Sequence, residues 1–326
     1  MRRTLGLVAA FSIVAVATHA SDGVLEINQV CATGPGCAAG DAPGFPVSIS
    51  APGSYRLTSN LSVDPTTTAI QVSANSVHVD LGGFAIVGPN DCGEGPTTSC
   101  TYADAGGNGI VSTGEATVLR HGSIRGMGSR GVDFSSSKRA VVEDLVVHHN
   151  GTVGIAMGIG GVARRVEASN HDDFGIIAET VQDCVVRQNQ NGIGGVTNVD
   201  RCTVVRNLGV GITSTTVATI TNSTVTGTLA GHGVNLPAGG MLLGNTISNN
   251  SDCGANFGTS PGTTGAIGEN LFTGNASIGV LCPNGVPNQN QVQGNVTATS
   301  CNAVQCSVGV LKVGTFCPPA TVACFP

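Results

Sequence analysis

Two short segments of this chain carry residues that could move a proton. His148 and His149 stand side by side, and His171, Asp172 and Asp173 follow one sequence repeat later. Imidazole gains or loses a proton near neutral pH, and a carboxylate can take up, give or orient one. Arg165 and Arg187 lie in the same stretch, and a guanidinium is shaped to hold a carboxylate. The set would suit acid–base work on an acidic sugar, with His148, His149, His171, Asp172 and Asp173 catalytic and Arg187 and Arg165 holding the substrate. The same residue types also solvate corners, so the segments have a second reading as a polar corner without chemistry. Aromatic content weighs against a strong sugar platform. There is no Trp, with two Tyr and nine Phe, whereas sugar rings stack on exposed aromatic faces.

What positions these residues is a repeat. A glycine followed by a small apolar residue returns roughly every 20 residues, at Gly109, Gly131, Gly154, Gly175, Gly192, Gly211, Gly233, Gly254 and Gly279. A period in this range marks a solenoid. Upstream of the glycine, apolar and polar residues alternate and end on an asparagine, as from Val142 to Asn150 and from Val181 to Asn189. Alternation at period two signals strands, and Gly and Asn mark corners. The leucine positions of leucine-rich repeats hold Val or Ile here, and tandem Gly-Gly-x-Gly-x-Asp units are absent. Two lysines, Lys138 and Lys312, are too few for a helical array. The expected fold is all-β: a single-stranded right-handed parallel β-helix solenoid of roughly ten coils over residues 55–300, with disulfide-rich caps.

Stacked coils turn repeats into columns about 4.8 Å apart. One column reads Leu145, Val166, Cys184, Cys202, Asn222, Asn245, Asn270, Asn290, and a second Asn150, His171, Asn189, Asn207, Gly227, Asn250, Asn275, Asn295. Inward amides in such a column can satisfy one another as a ladder. A surface column alternates in sign through Asp144, Arg165, Asp183 and Arg201, beside Glu143, Arg164, Gln182 and Asp200. After Arg206 the charged residues are Asp252, Glu269 and Lys312, so any ionisable site belongs to the middle coils.

The segment from Pro52 to Leu61, followed by Val77 to Ile86, resembles the N-terminal start of secreted right-handed β-helix proteins of the pectate-lyase-like superfamily fold, in an uncharacterised branch. The resemblance covers roughly residues 48–300. It implies the fold and no single activity, because that fold hosts lyases, hydrolases, epimerases and adhesins. Polygalacturonase-like enzymes carry paired aspartates and a Gly-His-Gly histidine, and this chain holds both fragments, in Asp172-Asp173 and Gly231-His232-Gly233. By the repeat alignment these lie three coils apart, roughly 14 Å along the axis, where that family needs adjacent coils. The Asp-Pro-His-Asp of mannuronan epimerases is absent. Pectate-lyase-like enzymes bind calcium on carboxylates, which would fall to Asp172 and Asp173 with Arg187 beside them. Calcium is expected only in that case; otherwise no cofactor is, and no metal ligands are assigned.

The ends carry other signals. Arg2 and Arg3, the apolar run Leu5 to Ala17 and Thr18-His19-Ala20 read as a signal peptide over residues 1–20, cleaved near Ala20. Residues 21–54 are expected to form an N-terminal cap and 301–326 a Cys-rich C-terminal cap. Twelve cysteines in an exported chain imply disulfides. The pairings read are Cys31 with Cys37, Cys92 with Cys100 inside an insertion from Gly88 to Gly107, Cys184 with Cys202, and Cys253 with Cys282. Cys301, Cys306, Cys317 and Cys324 would staple the C-terminal cap. The net charge of −6 without a basic patch argues against nucleic acid. No later segment reads as a membrane span, and a monomer in the periplasm, outside the cell or at its surface is expected. The function expected is an exported scaffold that binds or displays at the cell surface, with polysaccharide or surface components as partners. The alternative is a polysaccharide lyase or glycoside hydrolase acting on an acidic polysaccharide.

Overall fold

The computed structural model describes residues 23–281 apart from 94, 96–98, 258–263 and 278, together with strands Gln291–Gln293, Val296–Thr297, Val304–Gln305 and Leu311–Val313. The expected signal peptide lies outside the described residues, as do Cys282 and the four cysteines of the expected C-terminal cap. The chain winds into a parallel β-helix of about ten coils, built from a long and a short sheet. The short sheet takes one strand from each coil in sequence order. It counts twelve strands from Val47–Ile49 to Val304–Gln305 among the described residues, ten of them within residues 55–300 and one beyond each end. The only helix among the described residues is Gln29–Thr33 near the N-terminal end, where Asn28 Oδ1 accepts from the Cys31 N–H at 2.9 Å.

The residue after each repeated glycine builds the core side of the short sheet. Ile110, Val132, Ile155, Ile176, Ile193, Ile212, Val234, Ala255 and Val280 stack in register and are all fully buried. Opposite them, Val142, Ala163, Val181, Val199, Ile220 and Leu242 form one inward column of the long sheet. Each large aliphatic side chain so enclosed contributes about 1.5–3 kcal/mol by leaving water. The glycines are needed for space rather than for an unusual backbone. A Cβ on Gly175 would come within 2.5 Å of Val186 Cγ1 and 2.7 Å of Asn189 Nδ2, and one on Gly254 within 2.7 Å of Asn275 Nδ2. At Gly131, Gly175, Gly192, Gly233 and Gly254 a corner asparagine of the long sheet fills the place where the side chain would begin, and at Gly154 His171 does.

The long sheet bends twice per coil, and each bend is a left-handed residue. Asp144, Arg165, Asp183, Arg201 and Asn222 stack at one bend with φ between 50° and 53°. His149, Asn170, Gln188, Arg206 and Asn249 stack at the other with φ between 52° and 60°. A left-handed residue breaks the period-two alternation, so Val142 and Leu145, three residues apart across Asp144, both point inward. This corrects the two expected columns in one coil. Ser223 and Thr228, both buried, take the inward places, while Asn222 and Gly227 are themselves the left-handed bend residues.

Disulfides join Cys31 to Cys37 and Cys92 to Cys100. Cys184 and Cys202 do stand in one inward column, but as buried free thiols rather than the expected bridge. Direct stacking on adjacent parallel strands holds two Cβ atoms about 4.8 Å apart, where a disulfide prefers about 3.8 Å. The Cys184 thiol donates to the Gln182 carbonyl at 3.1 Å and the Cys202 thiol to the Asp200 carbonyl at 3.3 Å. The insertion between Gly88 and Gly107 lies along the second corner of the long sheet. Asn90 Nδ2 donates to the Met127 carbonyl at 3.0 Å, and Asn170 Nδ2 to the Gly93 carbonyl at 3.1 Å.

Candidate functional site

The corner leading from the long sheet to the short one is lined inside by one polar residue per coil: Asn150, His171, Asn189, Asn207, Thr228, Asn250 and Asn275, all buried. All but Thr228, whose hydroxyl donates to the Gly231 carbonyl at 2.8 Å, serve the backbone of the coil before them. Asn189 Oδ1 accepts from the His171 N–H at 3.1 Å and Asn207 Oδ1 from the Asn189 N–H at 3.0 Å, while Asn189 Nδ2 donates to the Ala168 carbonyl at 3.2 Å. His171 does the same work with a ring. Its Nδ1 accepts from the Asn150 N–H at 3.2 Å, so its Nε2 carries the proton and donates to the Val147 carbonyl at 3.2 Å. Burial pushes its pKa down to about 3. The candidate role of His171 in proton transfer is therefore corrected: the ring is enclosed, and both nitrogens are engaged by backbone.

His148 stands on the outer face, one residue before the left-handed bend at His149. The two Nδ1 atoms lie 2.9 Å apart, with the rings edge to face. Register places Arg125 one coil before His148, Ser169 one coil after it, and Arg187 beyond Ser169. Glu167 sits in the adjoining outer column. The His148 imidazole is half-buried, and desolvation lowers its pKa, helped by His149 and Arg125. It is a neutral base at pH 7. Arg187 Nη2 pairs with Glu167 Oε1 at 2.6 Å, and its Nη1 donates to Gln188 Oε1 at 2.6 Å. Arg125 is exposed and makes no ion pair among the described residues. Arg125 and Glu167 belong to this cluster and escaped the sequence reading. Their signal is outward register beside His148, which depends on where the bends fall.

The other candidates do not join it. Arg165 is at the first bend, its Nε on Asp144 at 2.7 Å and its Nη2 on Glu143 at 3.0 Å, and these carboxylates hold its pKa up. Asp172 and Asp173 follow His171 on the far side of the corner. Burial raises the pKa of Asp173, against a hydrogen bond from Asn191 and the charge of Arg130. Two carboxylates and an amide fall short of the six to eight oxygens calcium takes, and a neighbouring cation opposes it. This donor set does not fit calcium. His232 is likewise remote from Asp172 and Asp173 in chain order. Its Nδ1 lies 3.2 Å from Asp252 Oδ2, and with Cys253 it brings three donor atoms within 4.8 Å of one another.

The charge ladder is longer than its sequence pattern. In register, one outer column of the long sheet runs Glu26, Arg56, Asp80, Arg120, Glu143, Arg164, Gln182, Asp200. Signs alternate strictly from Glu26 to Arg164. Arg164 Nε meets Glu143 Oε2 at 2.7 Å, and Arg120 Nε meets Asp80 Oδ2 at 3.3 Å. The first four members are invisible to a 20-residue period because the helix segment and the insertion stretch their spacing. A cleft of about 370 Å³ opens over these first rungs, away from His148.

No protein-family model matches the chain, and no curated protein matches it in sequence. Solved structures do. The A-module of mannuronan C-5 epimerase AlgE6 from Azotobacter vinelandii superposes with a TM-score of 0.55 at 17% identity, over 91% of this chain and 89% of that one. The A-module of AlgE4 from the same organism gives 0.54 at 13% identity, over 93% and 88%. Pectate lyase Pel9A gives 0.52 at 12% identity, over 87% and 78%. Likeness at this identity shows the fold: the chain is a right-handed parallel β-helix like these proteins.

Proposed function

We propose that this chain is an exported β-helix that binds an acidic polysaccharide on the outer face of its long sheet, around Arg125, His148, Glu167 and Arg187. The observation that carries the reading is the unpaired guanidinium of Arg125 one coil from a neutral, half-buried His148. Arg125 is a cation free for a carboxylate, on a strip where the partly exposed Thr226 and Thr273 further along add hydroxyl groups for sugar oxygens. The insertion lies along the adjacent corner and borders this strip. Two of the matching folds are named for mannuronan and pectate, which is consistent with a polymeric sugar ligand. Export fits the leader and the Cys31–Cys37 and Cys92–Cys100 bridges. Among the described residues, no helix is long and apolar enough to cross a membrane.

Binding is favoured over turnover because the candidate acid–base residues separate. His171 is enclosed, and Asp172 and Asp173 lie across the corner from His148. One observation supports the second reading, a lyase: His148 is kept neutral beside Arg125 and Arg187, as a base would be next to a substrate carboxylate. Affinity electrophoresis in alginate and polygalacturonate gels tests both. Wild type is expected to be retarded at low salt, and Arg125→Ala to weaken binding about tenfold, as for loss of one charged hydrogen bond. No retardation in either gel overturns the binding reading. Ultraviolet absorbance from unsaturated uronates, lost in His148→Ala, would establish the lyase instead.

A further inference from the structure

We propose that the cleft over the N-terminal rungs is a second glycan subsite, built for neutral sugar units rather than uronates; this rests on the reading of the chain as a polysaccharide binder. The cleft, about 370 Å³, is lined by Glu26, Ser54, Arg56, His78, Asp80 and Arg120. That volume lies in the range of sites for small ligands and suits one or two sugar rings. Its four charged residues alternate along consecutive rungs, so their formal charges cancel. A polyanion approaching it meets no net attraction, since steering needs charge of one sign. A hydroxyl group finds both of its partners there: the Glu26 carboxylate accepts, and the Arg56 guanidinium one rung away donates.

The free members are Glu26 and Arg56, which are exposed and make no hydrogen bond or ion pair among the described side chains. Asp80 is held by the Gly82 N–H at 2.8 Å and by Arg120 and His121 at 3.3 Å each, and forms the floor beneath them. Ser54 and His78 stack in the neighbouring outer column and add hydroxyl and imidazole groups along the same line. The rungs repeat every 4.8 Å or so, close to the length of one pyranose unit in an extended chain. A glycan lying along the helix axis would therefore set about one sugar unit over each rung. His148 and Arg125 contribute nothing to this cleft, which separates it from the acidic-polymer face.

The test is titration calorimetry with short neutral oligosaccharides of xylan, mannan and dextran, beside oligomers of alginate and polygalacturonate. The proteins are wild type, Arg56→Ala, Glu26→Gln and Arg125→Ala. Arg56 and Glu26 are exposed and make no contact the fold depends on, so those variants keep the structure. At least one neutral oligomer is expected to bind wild type with an affinity indifferent to salt. Arg56→Ala should weaken it about tenfold, and Arg125→Ala should leave it unchanged. Three results overturn the proposal: no neutral oligomer binds, binding survives both Arg56→Ala and Glu26→Gln, or only acidic oligomers depend on Arg56. If acidic oligomers bind through Arg125 while neutral ones do not bind, this inference fails and the proposed function stands. If no oligomer of either kind binds, both fail.

Discussion

His171 takes a place that most other coils give to asparagine, and it keeps that place by staying neutral. Asparagine offers one acceptor and one donor to the neighbouring coils; the Nε2–H tautomer of histidine offers the same pair. The price is sensitivity to acid. Burial lowers the pKa of the folded ring from 6.5 to about 3, so the unfolded chain binds a proton that the folded one refuses between those values. Stability therefore rises with pH across that window and is lost as pH falls from 6.5 towards 3, by up to about 1.4 kcal/mol per pH unit from this group. Asp80, Glu143, Asp144, Asp183 and Asp200, whose pKa values are lowered in the folded state, lose stability in the same direction at lower pH. His171→Asn is expected to flatten the slope between pH 6 and 4 in urea titrations while leaving the carboxylate part. An unchanged slope would mean that the ring is not neutral and enclosed.

At the scale of the coil, the glycine of the short sheet and the asparagine of the corner are one device. The amide occupies the volume a side chain would claim, so neither can change alone. Gly175→Ala should cost about 1–3 kcal/mol in urea denaturation, the usual penalty for overfilling a packed core, because Asn189 and Val186 cannot both withdraw. An alanine tolerated without loss would show that the corner has room. This pairing also explains which parts of the fold were legible beforehand. The inward aliphatic positions and the ladder places of Asn150, Asn189, Asn207, Asn250 and Asn275 follow from alternation and period. The places of Ser223 and Thr228 do not, because that coil puts small hydroxyl residues where its neighbours carry Cys202 and Asn245, Asn207 and Asn250, while Asn222, one residue early, matches the asparagine pattern by type and stands at the left-handed bend. At the candidate site the place of His171 was legible, since the repeat sets it among the inward asparagines; what residue type alone did not show is that burial there removes it from proton transfer, while His148 faces solvent.

Across the whole molecule, each coil touches the coils before and after it, so a local injury should stay local. Hydrogen exchange on Gly175→Ala is expected to speed up in strands Ile155–Met157, Phe174–Ile177 and Asn191–Gly194 and to leave Ile70–Val72 at its wild-type rate. A uniform increase from end to end would instead mean one cooperative unit. Polarity is divided along the same axis: charges crowd the coils up to Arg206, and the coils beyond carry few. The alternation from Glu26 to Arg164 gives the charged half a parity that the neutral half lacks. Losing or duplicating a single coil there would set acid on acid or base on base at the seam, whereas a pair of coils could come or go with every sign still opposed. A lineage of such rods can therefore lengthen by ones at its neutral end but only by twos at its charged end.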